Sequence, residues 1–236
     1  ASINDGTWGY VTAAAELPGE GFCNISYVYA GYLLRKDRDQ DTAVTTLTQY
    51  AMDGTQLHQL EIPPLMSPGE NIYQYVGYIC FGENSLWLTA ECLVILDEET
   101  GEAEDHGELQ QWDYEGNLLT SVPLSSFYTG QEDFLSDLAL DDQGNPMAIV
   151  GQTVLFCDSQ GQVTATAELT SNGCDFCQDA SGRTYIYDLF ENQLRTIHWD
   201  SHALGDVVLT TENIESVLPG GGEYDFFLNS DRSEER

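Results

Sequence analysis

One stretch, Phe134 to Leu169, constrains the whole chain, because it is written as four short apolar runs separated by three tight turns. In FLSDLALDDQGNPMAIVGQTVLFCDSQGQVTATAEL, Leu138 and Leu140 alternate with small or polar residues up to a turn at Asp142-Gln143-Gly144-Asn145. Met147 to Val150 form an apolar run ended by Gly151, and Val154 to Cys157 form the next. After the turn Asp158-Ser159-Gln160-Gly161, the last run extends from Val163 to Leu169. Apolar residues recur here with the period of a strand rather than a helix. Four such strands in about 36 residues predict one antiparallel sheet, the size of a propeller blade.

The same unit recurs. When the units are set on the glycine of their first turn, that residue is Gly31, Gly82, Gly144 and Gly182. An apolar strand follows within a few residues each time: Tyr32-Leu33-Leu34, Leu86-Trp87-Leu88, Met147-Ala148-Ile149 and Tyr185-Ile186-Tyr187. A later turn recurs as Asp53-Gly54, Asp113 to Gly116, Asp158 to Gly161 and, without its glycine, Trp199 to Ala203. Three of these four keep the glycine that a positive φ favours. The expected fold is all-β, a β-propeller of four-stranded antiparallel blades at about 24–63, 71–124, 134–169 and 173–211, within one domain over 1–236. A partial unit at 212–236 and a strand at 8–15 remain. The second of these is placed to close the ring and remove two open sheet edges. Four blades and two odd strands describe a fragment of a longer propeller or an incomplete ring.

Charge removes several function classes. Forty acidic residues stand against seven basic ones, a formal net charge of −33. Nucleic-acid binding needs clustered Lys and Arg for phosphate contacts, and anionic membrane surfaces repel such a chain. A surplus of this size serves solubility first and attracts divalent cations or basic ligands second. No apolar run reaches the roughly 18 residues of a spanning helix, so direct membrane insertion is not expected. The sequence opens at Ala1 without a charged and apolar leader; with this charge and architecture, an extracellular or cell-surface protein whose signal has been removed is the favoured reading.

The six cysteines do not make a disulfide framework. Cys174 and Cys177 lie three apart on one expected strand and so face opposite sides. Zinc would need a second CxxC or a His pair at matching spacing, and neither occurs. Buried free thiols are expected instead. Two charged stretches, Arg35 to Asp41 and Asp97 to Asp105, read as solvated hairpin tips. The second lacks the ligand spacing of an EF-hand, although calcium is the one cofactor its acids leave open.

Candidate chemistry lies on the inner strands. One column carries the small residues Ser26, Gly77, Ala139 and Cys177, as crowding around a central channel requires. Two residues earlier the column reads Asn24, Tyr75, Asp137 and Asp175, with Asp225 as the fifth member. Acids at equivalent positions can coordinate a cation or hydrogen-bond a polar ligand, or can cap the backbone of their own loops. Tyr73, Tyr128 and Tyr224 fall near strand starts on one side of the expected disc, where they can stack on a sugar or peptide or pack against strands. Nucleophilic catalysis has little support: no GxSxG or HExxH occurs, and the four histidines fall in outer strands or turns.

The D-x-x-G turns at Asp113, Asp141, Asp158 and Asp179 give the chain from about Asn24 to Leu228 a resemblance to TolB-like and NHL-like propellers. The segment Leu218 to Phe226, LPGGGEYDF, further resembles propeller parts of solute-binding lipoproteins of Gram-positive bacteria. That resemblance implies a surface binding or accessory domain, with a solute-binding domain of the same parent protein as partner. The function expected is therefore non-catalytic recognition of a protein, peptide or glycan on one face of the propeller. The alternative is a propeller lyase or hydrolase using channel acids with a divalent metal.

Overall fold

The computed structural model describes residues 24–29, 32–39, 41–51, 53–82, 84–128, 135–178, 184–188, 190–191, 193–198 and 201–210. The expected ring-closing strand at 8–15, the partial unit at 212–236 with Tyr224 and Asp225, and Cys23, Gly31 and Gly182 lie outside them. The described residues are almost entirely strand, arranged as four antiparallel four-stranded sheets whose strands neighbour one another in chain order. This is the make-up of propeller blades.

The chain divides into two compact units, Ala1–Phe127 and Tyr128–Arg236, each with two sheets. In the first unit, sheet one is β1 (Asn24–Tyr29), β2 (Tyr32–Arg38), β3 (Thr45–Ala51) and β4 (Gln56–Ile62). Sheet two is β5 (Ile72–Phe81), β6 (Ser85–Asp97), β7 (Glu102–Asp113) and β8 (Leu118–Pro123), followed by a 3-10 turn at Ser125–Phe127. In the second unit, sheet three is β9 (Leu135–Leu140), β10 (Pro146–Val150), β11 (Thr153–Cys157) and β12 (Val163–Glu168). Sheet four is β13 (Cys174–Gln178), β14 (Thr184–Asp188), β15 (Gln193–His198) and β16 (Ala203–Thr210).

Within each unit the core lies between the two sheets, which gives each sheet an apolar face turned toward its neighbour. Leu34, Leu47, Leu60 and Ile62 of sheet one pack on Val76, Ile79, Leu86, Leu88 and Trp112 of sheet two. Met147, Ile149, Val154 and Phe156 of sheet three pack on Cys174, Phe176, Ile186 and Ile197 of sheet four. The pattern fades outward: β12 alternates half-buried and exposed residues along its whole length, as expected where one face meets water.

The turns explain many of the acids. The carboxylates of Asp113, Asp141 and Asp158 each accept two backbone N–H groups from the two and four residues that follow. Gly116, Gly144 and Gly161 then take positive φ values of 88°, 83° and 75°, a region L side chains avoid. These hydrogen bonds hold the Asp113 carboxyl below its usual range, the Asn117 side chain contributing most and its backbone next. In sheet four the corresponding turn has no glycine, and His202 takes the left-handed conformation at φ 48°.

Both charged stretches lie at hairpin ends, the second exposed throughout 98–105 and the first with strand over 35–38. β2 continues to Arg38, so Arg35 is buried and pairs with Asp37, with Nε 2.5 Å and Nη2 3.0 Å from its carboxylate oxygens. Likewise β6 and β7 carry the hairpin out to a turn at 98–101, where Asp97 accepts the N–H groups of Glu99 and Thr100.

Candidate functional site

Of the inner-strand acids, Asp137 and Asp175 stand near one another in the second unit. Asp137 of β9 is 2% exposed. One of its oxygens accepts the N–H of Leu138 at 2.7 Å and the other the N–H of Phe176, on β13, at 2.6 Å. The carboxyl therefore caps the open edge of the neighbouring sheet's inner strand. Burial raises its pKa well above the usual carboxylate range, the nearby Asp175 adds to the rise, and the two backbone N–H groups oppose it. Asp175 itself is open to water, yet enough protein surrounds it for burial to raise its carboxyl too. Cys177, two residues on and on the same face, has its thiol pushed up to about 12 by burial first and then by these two acids. Asn24 opens β1, where its backbone pairs with Lys36. Tyr128 follows the 3-10 turn and is half-buried.

Sheet two presents a different site. Tyr73 and Tyr75 on β5 are two residues apart, hence on one face, and are 56% and 52% exposed. Directly across from them on β6 stand Leu93 and Glu91, and beyond those on β7 stand Asp105 and Gly107. The Tyr75 hydroxyl donates to Glu91 Oε2 at 2.8 Å. Glu91 is only 8% exposed, although it interrupts an otherwise apolar strand.

What holds Glu91 there is a bulge. The β5–β6 register runs Val76 to Ala90 and then Ile79 to Leu88, so Gly77 and Tyr78 together oppose Thr89. The Tyr78 N–H donates to Thr89 Oγ1 at 2.9 Å, and that hydroxyl donates to Glu91 Oε1 at 3.3 Å. Lys36, reaching across from β2, donates to the carbonyls of Val76 and Gly77 at 3.0 and 3.1 Å. A Cβ at Gly77 would strike Glu91 Oε1 and Thr89 Oγ1. The small residue in this column thus makes room for a carboxylate in its own sheet. Burial pushes Glu91 up to about 6; the Tyr75 and Thr89 hydrogen bonds and Lys36 oppose the rise, and Asp105 adds to it. Lys36 is lowered to about 8, by burial first and against the pull of Glu91.

A third feature is a cavity of about 330 Å³ in the second unit. Asp141, Asp142 and Asp158 line it together with Cys157, Thr164 and His202. The His202 ring stacks on Phe156 with centroids 5.2 Å apart. Among the described residues no three acidic, cysteine or histidine side chains stand where a metal ion could be held.

Sequence reasoning singled out Tyr73 and Tyr75 and placed Asp137 and Asp175 correctly on inner strands, but it missed Glu91, Lys36 and the cavity. A lone acid in the run LWLTAECLVIL was the available signal for Glu91. The cavity was legible in principle from turns on the same edge of their sheets, which brings Asp141, Asp158 and His202 together. Cys92, Cys157 and Cys174 carry buried free thiols and Cys177 a half-buried one, and Cys80 is buried as well. Among the described residues no helix is long and apolar enough to cross a membrane.

No protein-family model matches this chain, and no curated protein matches it. Among solved structures it is similar to a protein of unknown function from Bacteroides caccae, at 10% identity and a TM-score of 0.49, over 84% of this chain and 65% of that one. It is also similar to the extracellular domain of BT4673 from B. thetaiotaomicron, at 10% identity and a TM-score of 0.27, over 85% of this chain and 32% of that one. The chain therefore spans less than two thirds of the length of either structure.

Proposed function

We propose that this chain is a non-catalytic, extracytoplasmic binding module that holds a protein, peptide or glycan against the tyrosine face of its second sheet. The observation that carries the reading is the exposure of Tyr73 and Tyr75 two residues apart on an inner strand. Leaving aromatic rings of this size in water costs free energy, and adjacent rings fixed by a sheet offer a preformed platform for stacking. The TolB-like and NHL-like turn pattern and the lipoprotein-like segment near the C-terminal end fit an accessory role beside a solute-binding domain. The large negative charge fits a secreted or surface-exposed setting. An enzyme built on the inner-strand acids draws less support, since both oxygens of Asp137 already accept backbone N–H groups.

Arrays of glycans and peptides probed with the wild-type chain and with a Tyr73→Ala/Tyr75→Ala double variant test the reading. Loss of the wild-type hits in a variant with unchanged far-UV circular dichroism is the expected result. Hits that survive in the double variant would overturn it. Calcium titration by calorimetry, with Asp137→Asn and Asp175→Asn, tests the metal-dependent alternative.

A further inference from the structure

We propose that the tyrosine face of sheet two takes a basic polypeptide segment, with a lysine or arginine side chain lying over Leu93 and its cationic head between the tyrosine rings and the carboxylates of Glu91 and Asp105. This rests on the binding-module reading and adds the chemical class of the partner. Four observations lead to it.

The first is the layout of the face. Tyr73, Leu93 and Asp105 form one cross-strand row, and Tyr75, Glu91 and Gly107 form the next. Each row runs from an aromatic ring to an acid, and in the second row Gly107 adds no side chain beyond Glu91. The strands are about 4.8 Å apart, so a row spans roughly the length of one extended lysine or arginine. Such a side chain packs its methylene stem on an apolar residue while keeping its charge at a polar edge. Leu93, half-buried, lies in the middle of its row.

The second is the state of the tyrosine hydroxyl. Tyr75 spends its donor on Glu91, so the ring offers the π-face to a ligand while the carboxylate behind it offers charge. A cation is attracted to both at once.

The third is how little positive charge competes: among the described residues, Lys36 is the one Lys or Arg whose charge acts on Glu91, and its effect is the smallest of those on that carboxyl. No Lys or Arg occurs anywhere between Arg38 and Arg183. The nearby Lys36 donates to the backbone carbonyls of the bulge. The hairpin that carries Asp105 also holds Asp97, Glu98, Glu99, Glu102 and Glu104, whose summed field is negative, so charge complementarity selects a basic partner over a neutral glycan.

The fourth is the electrostatic strain at the face. Burial raises both Glu91 and Asp105, and the charge of Asp105 raises Glu91 further. A cationic head seated between them offsets the repulsion of the two carboxylates and favours their charged forms.

The test is fluorescence anisotropy with a labelled peptide of alternating lysine and glycine, the same peptide with every lysine acetylated, and a neutral chito-oligosaccharide. The lysine peptide is expected to bind about tenfold or more tighter than the acetylated one, and more weakly as salt is added. Tyr73→Ala/Tyr75→Ala and Glu91→Gln/Asp105→Asn are each expected to weaken it by about tenfold. Asp41→Asn/Asp53→Asn removes the same charge from exposed loops of the same unit and is expected to change affinity by less than about twofold.

Equal loss in that control would show a diffuse polyanion effect and overturn the proposal, as would equal binding of the acetylated peptide. Tyrosine-dependent binding of the oligosaccharide without binding of the lysine peptide would remove the basic partner and leave the binding module standing. Tyrosine-independent behaviour of every probe would remove both.

Discussion

Glu91→Gln should stabilise the first unit at neutral pH and do progressively less as the solution is acidified. The carboxyl sits at about 6 rather than 4.5, chiefly because it is buried, with Asp105 adding to the rise against the hydrogen bonds of Tyr75 and Thr89 and the charge of Lys36. A carboxyl whose folded pKa is raised favours the protonated folded state. The associated stability is present below pH 4.5 and is lost as pH climbs through 6. A shift of this size corresponds to about 2 kcal/mol by pH 7.

Glutamine keeps the shape and removes the titration. Both neighbouring hydroxyls can rotate, so Tyr75 and Thr89 can accept from the new amide as well as donate to it. The decisive quantity is therefore a difference of differences: the stability of Glu91→Gln minus wild type should be about 1.6 kcal/mol more favourable at pH 7.5 than at pH 4.5. Urea unfolding at a series of pH values measures it. Tryptophan fluorescence suits the first unit, because Trp87 and Trp112 are both buried in sheet two. A stability difference that stays flat from pH 4.5 to 7.5 would refute the account of Glu91 as a carboxyl held against its ionisation by burial.

Two further perturbations follow from the same reasoning. Asp137→Ala strips the acceptor from the N–H groups of Leu138 and Phe176 and should cost the second unit about 1–3 kcal/mol in acid. Because burial raises the wild-type carboxyl, the penalty should shrink as pH rises and wild type is forced to ionise it; a penalty that grows with pH, measured by urea unfolding, would contradict this. Burial also pushes the thiols of Cys157 and Cys177 up to about 12 and that of Cys174 up to about 11. Peptide mass spectrometry after iodoacetamide treatment at pH 8 should find them unmodified in the folded protein and modified in urea, and rapid labelling of the native chain would show that they are reachable thiolates.

Much of the fold was legible because its determinants are local. Short continuous apolar runs such as Met147 to Val150 and Val154 to Cys157 fix the strands, and an Asp three residues before a Gly fixes the turn between them through hydrogen bonds that span only a few residues. The site was less legible because its determinants are distant. Lys36 meets the carbonyl of Val76 forty residues further on, and nothing in the local pattern around Arg35 to Asp41 separates a solvated loop from a strand that buries Arg35. The bulge at Gly77 and Tyr78 was hidden for another reason. An extra residue in a strand shifts the side-chain alternation, so Tyr75, Gly77 and Ile79 do not keep to one face as a uniform period implies. Asp137 shows the same limit: its strand could be read, but its partner is the N–H of Phe176 in the following sheet, thirty-nine residues away.

That carboxyl has a practical corollary for anyone cutting the gene into pieces. Asp137 draws Phe176 to it, Thr184 hands its hydroxyl proton to the carbonyl of Leu140, and Met147 and Phe176 share one oily interior. A recombinant product ending after Leu169 would leave a buried acid facing solvent and half a core stripped bare. Sheets three and four should therefore be expressed, melted and evolved as an inseparable pair.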